Sequence, residues 1–245
     1  MNIYDTDKLL AEYLLLHYGS AEEIAPPTFA AGAMNYPVRC VTECVEAKSL
    51  PENARALDLG CAVGRSSFEL ARLCHGVVAV DASQQFIDAA QDLRLGVELP
   101  YERTDEGELT TRLLARAPAD LDRLRVKFET GDAMALRSTI GTFDVVLMAN
   151  LIDRLRAPQR CLARLPELVK PGGQLVITSP YTWLEEFTPR GNWLGGITGS
   201  TLDGLKAALK NNFELTGTRD LPFVIREHAR KFQLSVAQVS LWKRR

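Results

Sequence analysis

Asp58-Leu59-Gly60-Cys61-Ala62-Val63-Gly64 stands between an apolar run and a helical pattern, and its reading decides the fold. Ala54-Arg55-Ala56-Leu57 leads into it as a buried strand would. Beyond it, Phe68, Leu70, Ala71 and Leu73 mark a partly apolar helix face over 65–74. Gly60 and Gly64 remove side chains where strand turns into helix, so a ligand can approach the backbone closely. A second strand, Val77-Val78-Ala79-Val80, ends on Asp81. A carboxylate about twenty residues beyond such a loop can accept hydrogen bonds from both hydroxyls of a ribose.

The glycine spacing narrows the nucleoside. A dinucleotide loop reads G-x-G-x-x-G, its middle glycine admitting a pyrophosphate. Here Ala62 holds that position and the loop reads D-x-G-x-x-x-G, which resembles the S-adenosylmethionine loop of class I methyltransferases. That cofactor has no pyrophosphate, and a carboxylate opening the loop can hold its amino group. Strand–turn–helix joints also use glycine for packing alone; the strand-terminal Asp81 is what favours the cofactor.

At 245 residues the chain suits one α/β domain. Twenty-nine basic residues against 31 acidic ones give a net charge of −2, so no global field favours nucleic acid or an anionic membrane. No apolar stretch reaches the ~18 residues of a membrane span, and Asp5, Asp7 and Glu12 spoil any signal peptide. Five scattered cysteines without a C-x-x-C pair fit reduced thiols and a cytoplasmic location. Cys40 and Cys44, a helical turn apart, read as a buried face; no metal site is expected.

Residues 1–50 form a helical cap on the expected single domain of 1–245. Leu9, Leu10, Tyr13, Leu14 and His17 make one stripe, Ala25-Pro26-Pro27-Thr28 a loop, and 35–48 a second helix broken early by Pro37. Strands are expected near 54–59, 76–81, 124–130, 143–149 and 173–179, with helices at 65–74, 83–94 and 158–170. This alternation predicts a parallel, doubly wound sheet. Residues 96–120 are too long and polar for a crossover loop and are taken as an insertion. The β-rich runs 213–218 and 232–242 would supply a closing antiparallel hairpin, completing a Rossmann-like class I S-adenosylmethionine-dependent methyltransferase fold of seven strands.

Open α/β sheets bind ligands beyond the carboxyl ends of their strands. Those ends hold 58–64, 81–83, Gly131-Asp132-Ala133, Asn150-Leu151-Ile152-Asp153-Arg154 and 179–183. Asp132 would suit the adenine amino group, or is an ordinary turn carboxylate. Asn150 would lie beside the reactive methyl, where one acceptor and two donors suit orientation of a polar heterocycle; otherwise it caps a helix beside an Asp153–Arg154 surface pair. Tyr181 and Trp183, in a loop bounded by Pro180 and Pro189, could sandwich a flat ring. Arg226 could hold a carboxylate bidentately.

These segments, with Tyr4-Asp5-Thr6-Asp7 and Asn35-Tyr36-Pro37-Val38, closely resemble the C-terminal methyltransferase domain of ovothiol synthases, the 4-mercaptohistidine N1-methyltransferase family. The Asn-Leu-Ile-Asp-Arg stretch is also similar to one in DREV-type protein histidine methyltransferases. The resemblance implies methylation of the imidazole N1 (the pi nitrogen) of 5-thiohistidine or 5-selenohistidine, as in ovothiol or ovoselenol biosynthesis, with S-adenosyl-L-homocysteine as by-product. Ovothiol synthases usually carry an iron sulfoxide synthase module with a histidine-rich motif. This chain has only His17, His75 and His228, so a separate upstream enzyme is expected to install the chalcogen. Cofactor contacts are expected from Asp58, Gly60, Cys61, Gly64, Arg65, Asp81, Ala82, Asp132, Ala133 and Asn150. Asn150 and Tyr181 would be catalytic. Asn150 would bind the distal ring nitrogen, Tyr36, Tyr181 and Trp183 pack around the ring, Asp153 hold the amino group, and Arg226 or Arg39 the carboxylate. Tyr36 and Trp183 have core packing as their plain alternative. A dehydrogenase, a non-catalytic cofactor-binding protein, and a methyltransferase for another imidazole or a protein histidine remain as rivals.

Overall fold

The computed structural model describes residues 4–26 and 31–245. Five parallel strands form its centre: β1 (Arg55–Leu59), β2 (Gly76–Asp81), β5 (Val126–Thr130), β6 (Phe143–Ala149) and β7 (Val169–Ser179). An antiparallel hairpin, β8 (Phe213–His228) and β9 (Lys231–Arg244), closes the sheet in the order β5-β2-β1-β6-β7-β9-β8. Both faces are covered, which is why β1 and β6 are almost continuously buried. One face packs on α1 (Asp7–Tyr18), α3 (Tyr36–Thr42), α4 (Arg65–Leu73) and α5 (Gln84–Leu95); the other packs on α6 (Pro158–Leu168) and α7 (Thr201–Leu209).

Strand alternation decides where Asp58 points. Leu57 and Leu59 enter the α6–α7 side of the core, whereas Ala56 enters the other side, so Asp58 shares the face of Ala56 and meets α4. Ser66 and Ser67 in that helix's first turn donate to Asp58 Oδ2 at 3.0 and 2.6 Å.

Two expectations change, and one is filled in. Pro37 does not break its helix. It occupies the first turn of α3, where a missing N–H has no partner to lose. The insertion expected at 96–120 has its own secondary structure, a hairpin of β3 (Leu99–Glu106) and β4 (Leu109–Ala115). Arg103 ties it to the Glu23 carbonyl of the short α2 (Ala21–Ile24), and Asp105 ties it to Arg226. The run expected at 213–218 is longer: 220–227 is the second half of β8, ahead of the last strand, β9. The loop expected at Ala25-Pro26-Pro27-Thr28 lies partly outside the described residues. No described helix is long and apolar enough to cross a membrane.

Candidate functional site

A cavity of about 740 Å³ opens over the carboxyl ends of β1, β2, β5 and β6. Its floor is made by the turns that follow those strands. Gly60 and Ala62 adopt positive φ of 74° and 47°, and Gly64 one of 87°. The loop is bent back onto β2 by Gly60 N–H donating to the Val80 carbonyl at 2.8 Å and Ala62 N–H donating to Asp81 Oδ2 at 2.9 Å. The glycines serve more than close ligand approach. A Cβ at Gly64 would lie 2.5 Å from the Phe128 ring, and one at Gly60 2.9 Å from Leu151. Positive φ together with these neighbours excludes larger residues.

Two carboxylates beside this loop are poised differently. Asp81 accepts from Ala62 N–H and Ser83 N–H while forming part of the cavity wall, and burial raises its pKa. Asp58 is wholly buried, and burial pushes it up to about 6 although Ser66 and Ser67 pull it down. Its Oδ1 has no hydrogen-bond partner among the described residues. Asp58 lies behind the cavity wall, where its orphan acceptor favours a cationic amino group near the loop, and Asp81, on the wall, suits paired ribose hydroxyls. S-adenosylmethionine therefore fits the residues present, with Ala82, Asp132 and Ala133 completing the wall.

The expected cofactor residues divide accordingly. Gly60, Asp81, Ala82, Asp132, Ala133 and Asn150 line the cavity. Gly64 packs under the loop against Phe128, and Cys61 is buried behind it. Arg65 turns away to pair with Glu69, one helical turn on, so its assignment as a contact is corrected.

The roof is α1. Tyr4, Tyr13 and His17 line the cavity from above. Ser83 Oγ donates to Asp5 at 2.6 Å, Gln85 to Asp7 at 2.9 Å, and Tyr18 donates to the Val63 carbonyl at 2.6 Å. His17 Nδ1 is buried without a partner among the described residues, and burial with the nearby Arg65 charge lowers its pKa to about 3. The stripe containing His17 was visible as helix periodicity, but periodicity cannot distinguish a core contact from a cavity wall.

At the acceptor end, Asn150 has φ of 51°, a left-handed conformation that asparagine tolerates better than most residues. Its N–H donates to the Thr178 carbonyl at 2.8 Å, which fixes the chain as it leaves β6. Tyr36 OH donates to Asn150 Oδ1 at 2.7 Å and lies 2.7 Å from Thr178 Oγ1. Burial holds the Tyr36 pKa well above its ordinary value, so the phenol keeps its proton. Phe223 packs on the Tyr36 ring with centroids 4.5 Å apart. Asn150, Tyr36 and Phe223 all line the cavity, and Phe187 lines it from the 180s loop.

The other expected acceptor contacts are corrected. Tyr181 donates to Gln238 Oε1 at 3.2 Å and is not on the cavity wall. Trp183 donates to Thr201 and stacks on Trp193, 6.3 Å away, so these aromatics do not sandwich a ligand. Asp153 is buried, with Oδ2 taken by Arg154 and by Thr182 N–H. Arg39 is held by Glu43 and the Pro222 carbonyl. Arg226 is spent on Asp105 of the inserted hairpin. Arg39 and Asp153 also keep the local partners Glu43 and Arg154, but each of the five has a further partner distant in sequence that no local pattern shows.

Residues 57–177 match a family model described as a methyltransferase domain. A ubiquinone biosynthesis O-methyltransferase of Xanthomonas axonopodis pv. citri is 26% identical over 58% of this chain and 49% of its own length. A magnesium-protoporphyrin O-methyltransferase of Rhodobacter capsulatus is 31% identical over 62% of this chain and 60% of its own. The chain thus spans about half the length of these curated relatives. Among solved structures, the [4+2]-cyclase SpnF superposes with a TM-score of 0.61, covering 99% of this chain and 94% of the cyclase at 16% identity. A TehB-like SAM-dependent methyltransferase from Corynebacterium glutamicum gives 0.50, covering 85% and 87% at 18% identity. At such identities the likeness is one of fold. These findings correct the resemblance to ovothiol synthases: the matched curated relatives are named as ubiquinone and magnesium-protoporphyrin O-methyltransferases.

Proposed function

We propose that this chain, a class I S-adenosylmethionine-dependent methyltransferase that takes S-adenosylmethionine as its cofactor, methylates a ring nitrogen of a small histidine derivative, best one bearing sulfur or selenium on the ring. The observation carrying this reading is the Tyr36–Asn150 hydrogen bond in the cavity wall. By donating to Oδ1, Tyr36 sets which way the Asn150 amide faces. Oδ1 keeps a second lone pair, and Nδ2 keeps two N–H donors.

That amide edge is an acceptor beside a donor. It complements the N–H and adjacent carbon–chalcogen edge of a thio- or selenoimidazole. Oδ1 accepts the distal N–H, which leaves the lone pair on the nitrogen nearer the side chain, and Nδ2 holds the thiolate or selenolate away from the methyl. The bound cofactor supplies a sulfonium methyl, which passes to that lone pair as its carbon–sulfur bond breaks and S-adenosylhomocysteine remains. Because the acceptor is anionic at the chalcogen, the methylated ring is neutral overall and no proton need be removed. Asn150 and Tyr36 therefore orient rather than act as bases, and orientation supplies much of the rate of an in-line displacement. Such an acceptor would come from a separate chalcogen-installing enzyme.

The relatives' names favour a second reading, transfer to oxygen, in which the Asn150 Nδ2 donors would bind an oxygen-bearing acceptor. Incubation with S-adenosylmethionine and 5-thiohistidine, 5-selenohistidine, histidine or a catechol, followed by mass spectrometry and NMR of the product, separates the two. The imidazole reading requires an N-methylated product; turnover of the catechol with none of the imidazoles would replace it.

A further inference from the structure

Two guanidinium groups line the acceptor end of the cavity, Arg154 and Arg156. Arg154 is held in place by its neighbours. Its Nη1 donates to Asp153 Oδ2 at 3.0 Å, to the Asp153 carbonyl at 3.1 Å and to the Thr182 carbonyl at 2.8 Å. Its Cζ lies 4.9 Å above the Phe187 ring, and its side chain hydrogen-bonds the Tyr4 phenol. All its acidic and carbonyl contacts fall on Nη1, so the Nε–Nη2 edge meets no carboxylate among the described residues. Arg156, two residues on, is exposed, and its guanidinium has no ion-pair or hydrogen-bond partner among the described residues. Glu186 lies on the same wall. By contrast, Arg39 and Arg226 are each committed to a carboxylate and lie off this wall.

We infer that Arg154, aimed by the buried Asp153 and assisted by Arg156, forms a carboxylate-binding subsite, and that the acceptor is an amino acid or another small carboxylic acid. A planar fork already held by Asp153, the Thr182 carbonyl and the Tyr4 phenol, with no carboxylate on its Nε–Nη2 edge, can grip a carboxylate without first losing its own freedom of rotation. Glu186 then stands where the ammonium of a zwitterion would meet it. Asp153 is a positioning residue here, since it reaches the acceptor only through Arg154. The inference rests on the proposed function only in seating the acceptor in this cavity, and it holds whichever atom is methylated.

The test is calorimetric titration of protein loaded with S-adenosylhomocysteine, using ligand pairs that differ in the carboxylate: histidine against histamine, and benzoate against benzamide. Wild type is expected to prefer the carboxylate member of the pair it binds by about 10- to 100-fold, the range of a charge-assisted hydrogen-bonded pair. Arg154→Gln should abolish the preference, and Arg154→Lys should restore only part of it. Arg156→Gln, at an exposed position that folding tolerates, should lower it by a smaller factor and so gives a reading even if Arg154→Gln misfolds. A wild type without preference, or a preference unchanged in the Arg154 and Arg156 variants, overturns the subsite. If benzoate binds in an Arg154-dependent manner while no imidazole binds or reacts, the subsite stands and the imidazole reading fails. If histidine and histamine derivatives react equally well, the imidazole reading stands and the subsite fails.

Discussion

The two ends of the cavity are built by different rules. The cofactor end is a set of strand–turn joints, each made by residues close in sequence: Gly60 to Ala62 after β1, Asp81 and Ala82 after β2, Asp132 and Ala133 after β5. The acceptor end is assembled from α1, α3, the turn after β6, the 180s loop and β8, which are spread over well over half the chain's length. At the first end, most residues expected from local pattern reach the ligand space. At the second, Asn150 and Tyr36 do so, whereas Tyr181, Trp183, Asp153, Arg39 and Arg226 are claimed by other partners. A strand end dictates where its next residues point; a loop side chain goes to whichever partner the tertiary fold brings near.

The most demanding check on the cofactor end is Asp81→Ala, expected to weaken S-adenosylhomocysteine binding by roughly 2–4 kcal/mol through loss of two hydrogen bonds to a charged group. Calorimetry finding equal affinity in a folded variant would remove the clearest local feature from the site.

Asp58 offers a pH test of the same end. Folding raises its pKa from 3.8 to about 6 by burial. A carboxyl raised on folding stabilises the fold while protonated, and this contribution is lost as pH rises from the ordinary value through the folded one. A shift of about two units corresponds to ~3 kcal/mol. Between about pH 4 and pH 7, the ligand-free wild type should therefore lose stability relative to Asp58→Asn, and S-adenosylhomocysteine should reduce that loss. Parallel melting profiles for the two proteins across this range would locate the burial penalty elsewhere.

For the acceptor end, Asn150→Ala should lower kcat by ~100-fold, the order expected when a reacting ring is displaced by about 1 Å. Cofactor affinity should change little, and chalcogen-methylated by-product should appear with 5-thiohistidine. Tyr36→Phe, which frees the amide without removing it, should fall between this variant and wild type. An Asn150→Ala enzyme with full rate and one N-methylated product would leave that residue as a turn former only.

The smaller effects ask whether the corrected residues are structural. Arg226→Ala should lower stability by about 1 kcal/mol by loosening the inserted hairpin, since Arg103 and Thr111 still hold Asp105, with acceptor KM unchanged. Trp183→Phe should cost about 1 kcal/mol for the lost bond to Thr201, again without a change in KM. A rise in KM without loss of melting temperature, in either variant, would return that residue to the acceptor site and weaken the contrast between the two ends.

Of the fold, the parallel strands and the helices α4, α5 and α6 were legible from periodicity because both signals are local. The inserted hairpin was not, since β3 and β4 are half exposed and polar and are held by Arg103 and Arg226 contacts to α2 and β8. α7 was not legible either. Its neighbourhood 190–200 is rich in glycine, and its burial depends on α6.

By itself the sequence determined the D-x-G-x-x-x-G turn, the acid closing β2 and the asparagine ending β6. Dihedral preference and strand alternation act within a few residues, and they sufficed to point to S-adenosylmethionine. Only the tertiary structure decided that α1 roofs the cavity with Tyr13 and His17, that Tyr36 hydrogen-bonds Asn150 across 114 positions of chain, and that Arg154 lines the cavity while Arg226 does not. The physical reason is competition: a buried polar group must pair, and which partner it finds is settled by packing among segments remote in sequence.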